Sequence, residues 1–222
     1  TMRITARAII VGEPTANIPA IGHKGALYLN VVAKGKTAHS SMPEQGDNAI
    51  YKAALCISKI EGFRFEADKD PLLGFPSINV GKMQGGLNIN SVPDHAEFSI
   101  DVRSTCMIRH QSILQRLMKE FGEEIAIETL VDLNPVSTLE SDPFVQLVYE
   151  ICGIDPKSEN RARALPYLTD GSVLQPYYNG VPTIILGPGE PEMAHKTDEY
   201  CSIENIIQSV SIYKNIILNR SS

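Results

Sequence analysis

With 222 residues, 43% of them hydrophobic and 21% charged, the chain can bury a sizeable core in one or two domains, and a disordered or fibrous protein is excluded. A net charge of −6 with scattered basic residues, in only short groupings such as Arg161 and Arg163, argues against nucleic acid as a partner. No apolar run approaches the roughly 20 residues that a membrane-spanning helix needs, nothing reads as a signal peptide, and no membrane partner is expected; the cytoplasmic location is expected from the cysteines.

Cys56, Cys106, Cys152 and Cys201 lie far apart with no CxxC pair, which argues against a zinc ribbon or a thioredoxin-type site. Apolar neighbours, as in Ala54-Leu55-Cys56-Ile57, read as reduced core thiols. Any metal would have to be met by His, Asp and Glu. The chain starts with Thr1-Met2 and reaches the strand-like Ile9-Ile10-Val11 almost at once. Either a native start has been removed or this is part of a longer polypeptide.

Residues 6–11 are short, apolar and β-branched, and they stop at Gly12-Glu13-Pro14. That predicts a buried strand delivering Glu13 to its carboxyl end, where α/β proteins tend to place ligands. Residues 26–32 read as a strand. Residues 44–60 read as a helix opening after Pro43, with Ile50, Ala53, Ala54 and Ile57 on one face. Residues 76–82 and the alternating residues 96–102 are strands, with Ala96, Phe98, Ile100 and Val102 on the apolar side. A helix over 108–121 puts Ile113, Leu114, Leu117 and Phe121 in register, and residues 125–131 form another strand. The βαββαβ order across residues 23–132 is a split-βαβ sandwich, a four-stranded antiparallel sheet with two helices on one face. The other face is solvated or meets a partner.

After Asn134-Pro135 the pattern changes. A helix runs from Ser141-Asp142-Pro143 through Cys152, another follows Asp170-Gly171, and a short buried strand over 181–186 ends at Gly187-Pro188-Gly189. A last helix over about 202–218 has Ile203, Ile206, Ile207, Val210, Tyr213 and Ile217 on its apolar side. Two isolated strands and three helices do not make a normal parallel sheet alone. Residues 1–22 and 133–222 therefore read as the end of a larger α/β domain, with residues 23–132 inserted into it.

Glu13 and His195 occupy matching ends of the two buried strands, each after a Gly/Pro turn. Alone, each is readily a solvated loop residue. Together they offer carboxylate and imidazole, which suit zinc and similar divalent ions. Asp198 or Glu199 could orient the imidazole from behind. His39, between a strand and a helix, is either a loop histidine satisfied by Ser40 or Ser41 or a donor placed where an oxyanion develops. In GGLNINSVP, Asn88 and Asn90 are turn formers or ligand-binding amides. Arg103 is a rim salt bridge or a bidentate partner for a substrate carboxylate.

Five motifs stand in order along essentially the whole chain: IIVGEPT, KGKTAHSSMPEQGDNAI, GGLNINSVP with DVR, TDGSVL, and GPGEPEMAHKTDEY. In that order they resemble the zinc-dependent aminoacylases of the peptidase M20 family, the acetylornithine deacetylase and succinyl-diaminopimelate desuccinylase group above all. The resemblance implies two zinc ions, or cobalt or manganese in their place, with Glu13 a ligand of one and His195 of the other. It implies that His39, in an inserted lid, reaches across a homodimer interface to the neighbouring subunit's oxyanion. Asn90 and Arg103 match substrate-binding lid positions, and Thr169, Asp170 and Gly171 match a loop that closes on the substrate, an N-acyl amino acid. The lid is also the family's dimerisation module.

The chain departs from the pattern in one respect. The family's amino-terminal half carries a His-x-Asp metal motif and an adjacent Glu-Glu pair that supplies the general base and another ligand. No HxD occurs in this chain, and its adjacent acidic pairs, Glu123-Glu124 and Asp198-Glu199, do not precede the Gly-Glu-Pro turn. The chain resembles the carboxyl-terminal part of such an enzyme. The expectation is that by itself it neither holds a two-metal centre tightly nor hydrolyses amides. The alternatives are a di- or tripeptidase of the same family and a non-catalytic dimerisation or binding module.

Overall fold

The computed structural model describes residues 5–155, 163–194 and 196–220. In chain order the elements are β1 (Ile9–Val11), β2 (Gly22–His23), β3 (Gly25–Lys34), α1 (Ala49–Glu61), β4 (Ser77–Gly85), β5 (His95–Ser104), α2 (His110–Phe121), β6 (Ile125–Leu133), β7 (Val136–Ser137), α3 (Pro143–Ile151), β8 (Ala164–Leu165), α4 (Gly171–Tyr177), β9 (Thr183–Ile185) and α5 (Ile203–Arg220). The fold class is mixed α/β. The chain divides into two compact units. The inner one is Gly25–Asp70 with Gly74–Asn134, and the outer one is Thr1–Lys24, Pro71–Leu73 and Pro135–Ser222.

The inner unit is an antiparallel sheet of order β4-β5-β3-β6. Strict alternation makes it two-faced. Leu27, Leu29, Val31 and Ala33 of β3 and Ala96, Phe98, Ile100 and Val102 of β5 are buried, and α1 and α2 close over them with Ala53, Cys56, Ile113, Leu117 and Phe121. Phe98 meets Phe121 edge to face at 6.1 Å between centroids. Phe98→Ala should cost about 3–5 kcal/mol, measured by denaturant titration.

The face away from the helices is polar. There the Glu97 carboxylate accepts hydrogen bonds from the Gln84 and Asn30 amides, the latter at 3.3 Å. These bonds, Gln84's first, hold its pKa below the usual carboxylate value.

Two helix readings are corrected. Residues 43–45 are a single 3-10 turn, and α1 begins only at Ala49, because Lys36 and Asp47 pair as a β-bridge and Asn48 caps the helix through Ile50 N–H and Tyr51 N–H. Its buried face is Ala49, Ala53, Cys56 and Ile60, while Ala54 is exposed and Ile50 and Ile57 are only half-buried. In α5 the expected apolar side is largely exposed, with Ile203, Ile207, Val210 and Ile217 each more than 60% accessible. Ile212 and Ile216 are buried instead, in a cluster with Phe144, Val145, Val148 and Tyr149 of α3. The helix is apolar on more than one side, so periodicity could not pick the packed one.

In the outer unit β1 and β9 pair in parallel, Ile9 opposite Thr183 and Val11 opposite Ile185. A second sheet, of order β7-β2-β8, is too short to leave any periodic trace in the sequence. Of the cysteines, Cys56 is buried but Cys106 is exposed, which corrects its reading as a core thiol. Burial pushes the Cys152 thiol up to about 11, so it is a poor nucleophile at neutral pH. Among the described residues no helix is long and apolar enough to cross a membrane.

Candidate functional site

Glu13 stands two residues beyond the carboxyl end of β1, in a loop stitched to the one that follows β9. The Thr15 hydroxyl donates to the Gly187 carbonyl at 3.2 Å and accepts from Gly187 N–H at 3.1 Å. Ala16 N–H donates to the Gly189 carbonyl and Asn17 N–H to that of Gly187, both at 2.8 Å. Ala16 and Asn17 both have positive φ, 52° and 58°, a conformation that costs roughly a kcal/mol or more at non-glycine residues and is kept where surroundings enforce it. Here the Asn17 side chain enforces it, donating to the Asn205 carbonyl at 2.8 Å and to Gln208 at 3.0 Å. The Tyr167 hydroxyl donates to the Pro14 carbonyl at 3.3 Å, and its pKa is raised by burial and then by the nearby Glu13 charge. His195 lies outside the described residues, as does Arg161.

The Thr169-Asp170-Gly171 turn opens α4. Thr169 and Gly171 are buried and Asp170 is exposed. The Thr169 hydroxyl accepts from Gly171 N–H at 3.1 Å, and the Asp170 carbonyl accepts from Leu174 N–H at 3.0 Å. Facing the turn is a residue that the sequence reading passed over. His23, on the middle strand of the small sheet, has no exposed surface, and its Nδ1–H donates to the Lys24 carbonyl at 2.8 Å. Burial lowers its pKa from 6.5, so the ring is neutral.

That shift has a testable sign. The unfolded imidazole takes up a proton near pH 6.5 and the folded one resists it, so the folded state loses stability as pH falls below 6.5 and keeps what His23 contributes above it. The expected slope approaches, at most, about 1.4 kcal/mol per pH unit. Melting curves from pH 5 to 8 should show it, and His23→Gln, which cannot titrate, should flatten it.

In the inner unit the structure brings His39 and Asn90 together. Their loops are laced by a bridge between His39 and Ser91, by Ser40 N–H to the Asn90 carbonyl at 3.1 Å and by Val92 N–H to the Ala38 carbonyl at 2.8 Å. Both residues are exposed. Ser41 N–H donates to His39 Nδ1 at 3.2 Å and the Ser41 hydroxyl lies 2.8 Å from the same atom. Nδ1 is thus the acceptor, and the neutral ring carries its proton on Nε2, ready to be donated.

Arg103 sits at the other end of β5, opposite Ala26. Its guanidinium donates to Oδ2 of Asp101 at 3.0 Å and to the Tyr28 hydroxyl at 2.8 Å, and its Nε lies 2.9 Å from Asp101 Oδ1 as an ion pair. A ligand carboxylate would have to compete with Asp101 for it.

A further constellation has the look of a nucleophile triad. His110 Nδ1–H donates to Asp132 at 2.6 Å and its Nε2 accepts from the Ser104 hydroxyl at 2.6 Å. Ser104 has no exposed surface, so no substrate carbonyl can reach it. The arrangement ties the start of α2 to β5 and β6.

Among the described residues no three His, Cys, Asp or Glu side chains converge as a metal site requires. Glu13 is the only expected ligand that can be placed, and one carboxylate does not make a centre. The described donor set therefore does not fit a bound metal by itself.

Residues 21–128 match the family described as the peptidase dimerisation domain of the M20 type. The match covers just under half of the chain. Its sequence is 28% identical to a probable succinyl-diaminopimelate desuccinylase from Staphylococcus epidermidis, over 94% of this chain and 59% of that protein. It is 27% identical to an acetylornithine deacetylase from Myxococcus xanthus, over 93% and 56%. The chain thus spans little more than half the length of the curated relatives it matches. Among solved structures, the aminopeptidase PepT from Bacillus cereus superposes with a TM-score of 0.76 at 21% identity, covering 96% of this chain and 57% of that one. A tripeptidase from Staphylococcus aureus gives 0.73 at 22%, with the same coverage. At such identities these two likenesses speak to the fold alone.

Proposed function

We propose that this chain is the lid and the closing part of the catalytic domain of a cytoplasmic, zinc-dependent amidohydrolase that removes an acetyl or succinyl group from an amino acid such as N-acetylornithine or N-succinyl-diaminopimelate, and that it works as a homodimer. Residues 25–134 would be the lid. The observation that carries the reading is the separation of lid residues. His39 and Asn90 lie beyond one end of β5 and Arg103 at the other, and the eight steps from His95 to Arg103 alone span roughly 26 Å. A single N-acyl amino acid cannot touch both sets in one lid. Two lids in a symmetric pair can each give His39 and Asn90 to the other's substrate while Arg103 serves its own.

In this reading His39 donates its Nε2 proton to the oxyanion that forms when the acyl carbonyl is attacked. Arg103 exchanges Asp101 for the substrate carboxylate. Thr169, Asp170 and Gly171 close over the substrate. Two divalent ions, when bound, would polarise the carbonyl and supply the attacking water. Glu13 and His195 would each contribute to holding one of them, with the remaining ligands and the general base coming from an amino-terminal portion outside these 222 residues. The chain alone would then be inactive.

Curated relatives named for deacylation favour the deacylase over the second reading, a di- or tripeptidase, which the peptidase folds among the solved structures keep in view. The test is to add back the amino-terminal half, load zinc, and follow release of acetate or succinate from N-acyl amino acids beside cleavage of free-amine di- and tripeptides. Cleavage of peptides alone would reject the deacylase. No turnover with any metal would leave a binding module.

A further inference from the structure

We infer that His23 is a positioning residue for the Thr169-Asp170-Gly171 turn, its bare Nε2 serving as the acceptor for the Thr169 hydroxyl. The tautomer follows from its surroundings. A carbonyl can only accept, so the 2.8 Å contact with Lys24 O fixes the proton on Nδ1 and leaves a lone pair on Nε2. That atom is buried and has no hydrogen-bond partner among the described residues. Such an orphan in a native interior calls for an explanation.

The explanation lies beside Gly171. A Cβ built there would be 3.1 Å from the Thr169 hydroxyl oxygen and 3.5 Å from His23 Nε2, so both atoms face the same spot. The Thr169 hydroxyl accepts from Gly171 N–H, and among the described residues no bond uses its own proton. A buried acceptor without a donor and a buried hydroxyl with a proton to give therefore flank one glycine. They are not bonded in this geometry. Rotation of the threonine side chain, or a small inward shift of the turn, joins them and draws Asp170 and Gly171 toward β2. Glycine at 171 keeps the gap open, since a methyl would wedge between the two.

The functional consequence rests on reading the turn as substrate-binding, but the bond can be tested without any activity. Nitrogen NMR of the 222-residue chain, labelled on histidine, reads Nε2 of His23 directly. Thr169→Val should move that resonance toward the value of a bare lone pair, and Thr169→Ser should restore it. An unchanged resonance in Thr169→Val, or a proton found on Nε2, overturns the inference.

In the complete protein, His23→Leu should raise KM by about tenfold or more with kcat little changed, as expected for one lost hydrogen bond to a polar partner. His23→Gln, which offers an acceptor near the Nε2 position, should recover most of it. Equal KM for the Leu and Gln variants would overturn the positioning role while leaving the deacylase reading intact. A complete protein that hydrolyses no acyl amino acid would sink that reading, and the NMR result would still decide the bond.

Discussion

Complete-length Glu13→Gln and His39→Gln proteins, each inactive alone, should recover roughly a quarter of the wild-type sites when mixed and allowed to exchange subunits. Random exchange makes half the dimers mixed. In a mixed dimer one site combines the intact Glu13 of one chain with the intact His39 of the other, and its second site has neither. Alone, His39→Gln should lose about 10²- to 10³-fold in kcat, the usual cost of removing one oxyanion donor. The Nε2–H tautomer set by Ser41 on Nδ1 makes His39 a donor without further rearrangement. Native mass spectrometry would verify that exchange has occurred. Mixed dimers present in full proportion with no recovered turnover would mean that each site uses its own His39, or does not use it at all.

The inner unit was legible because its strands and helices carry clean periods. Ala96, Phe98, Ile100 and Val102 alternate with the polar Glu97, Ser99 and Asp101, and Ile113, Leu117 and Phe121 repeat at helical spacing; all seven apolar residues are buried. Where a segment is apolar on several sides the pattern fails, as in α5. The start of α1 was misplaced because Pro43 is a helix-start signal, yet the backbone there is held by pairing with residues distant along the chain. The roles proposed for Glu13, His39, Asn90 and Arg103 came from motifs, although Glu13 was first picked out by its place at the end of a predicted buried strand. What the sequence could not supply was their pairing: Asp101 on Arg103, Ser41 on His39, Tyr167 beside Glu13. His23 escaped notice because a two-residue strand has no period and a single histidine beside a lysine reads as surface. Its burial, and a ring nitrogen without a hydrogen-bond partner among the described residues, set it apart.

Gly187→Ala should be the most damaging small substitution in the outer unit, and it should act on Glu13. A methyl at this position would stand 2.4 Å from the Glu13 carbonyl oxygen and about as far as ordinary packing forbids from its carbon and nitrogen, 3.1 and 3.2 Å. These are backbone atoms with nowhere to swing. Nor can the Glu13 loop retreat cheaply, because the Thr15 hydroxyl and the Ala16 and Asn17 amides hold it against the carbonyls of Gly187 and Gly189. Either those bonds break or the end of β9 leaves its pairing with β1. The expected loss is about 3 kcal/mol, at the upper end of overpacking costs. Gly12→Ala, one residue before Glu13, is the control: a Cβ there meets nothing within 4 Å, and stability should change by no more than about 0.5 kcal/mol. Paired thermal melts of the two variants measure the difference. If Gly187→Ala retains wild-type zinc stoichiometry in the complete protein, the placement of the Glu13 carboxylate does not depend on these stitched loops, and its proposed role as a metal ligand loses its structural support.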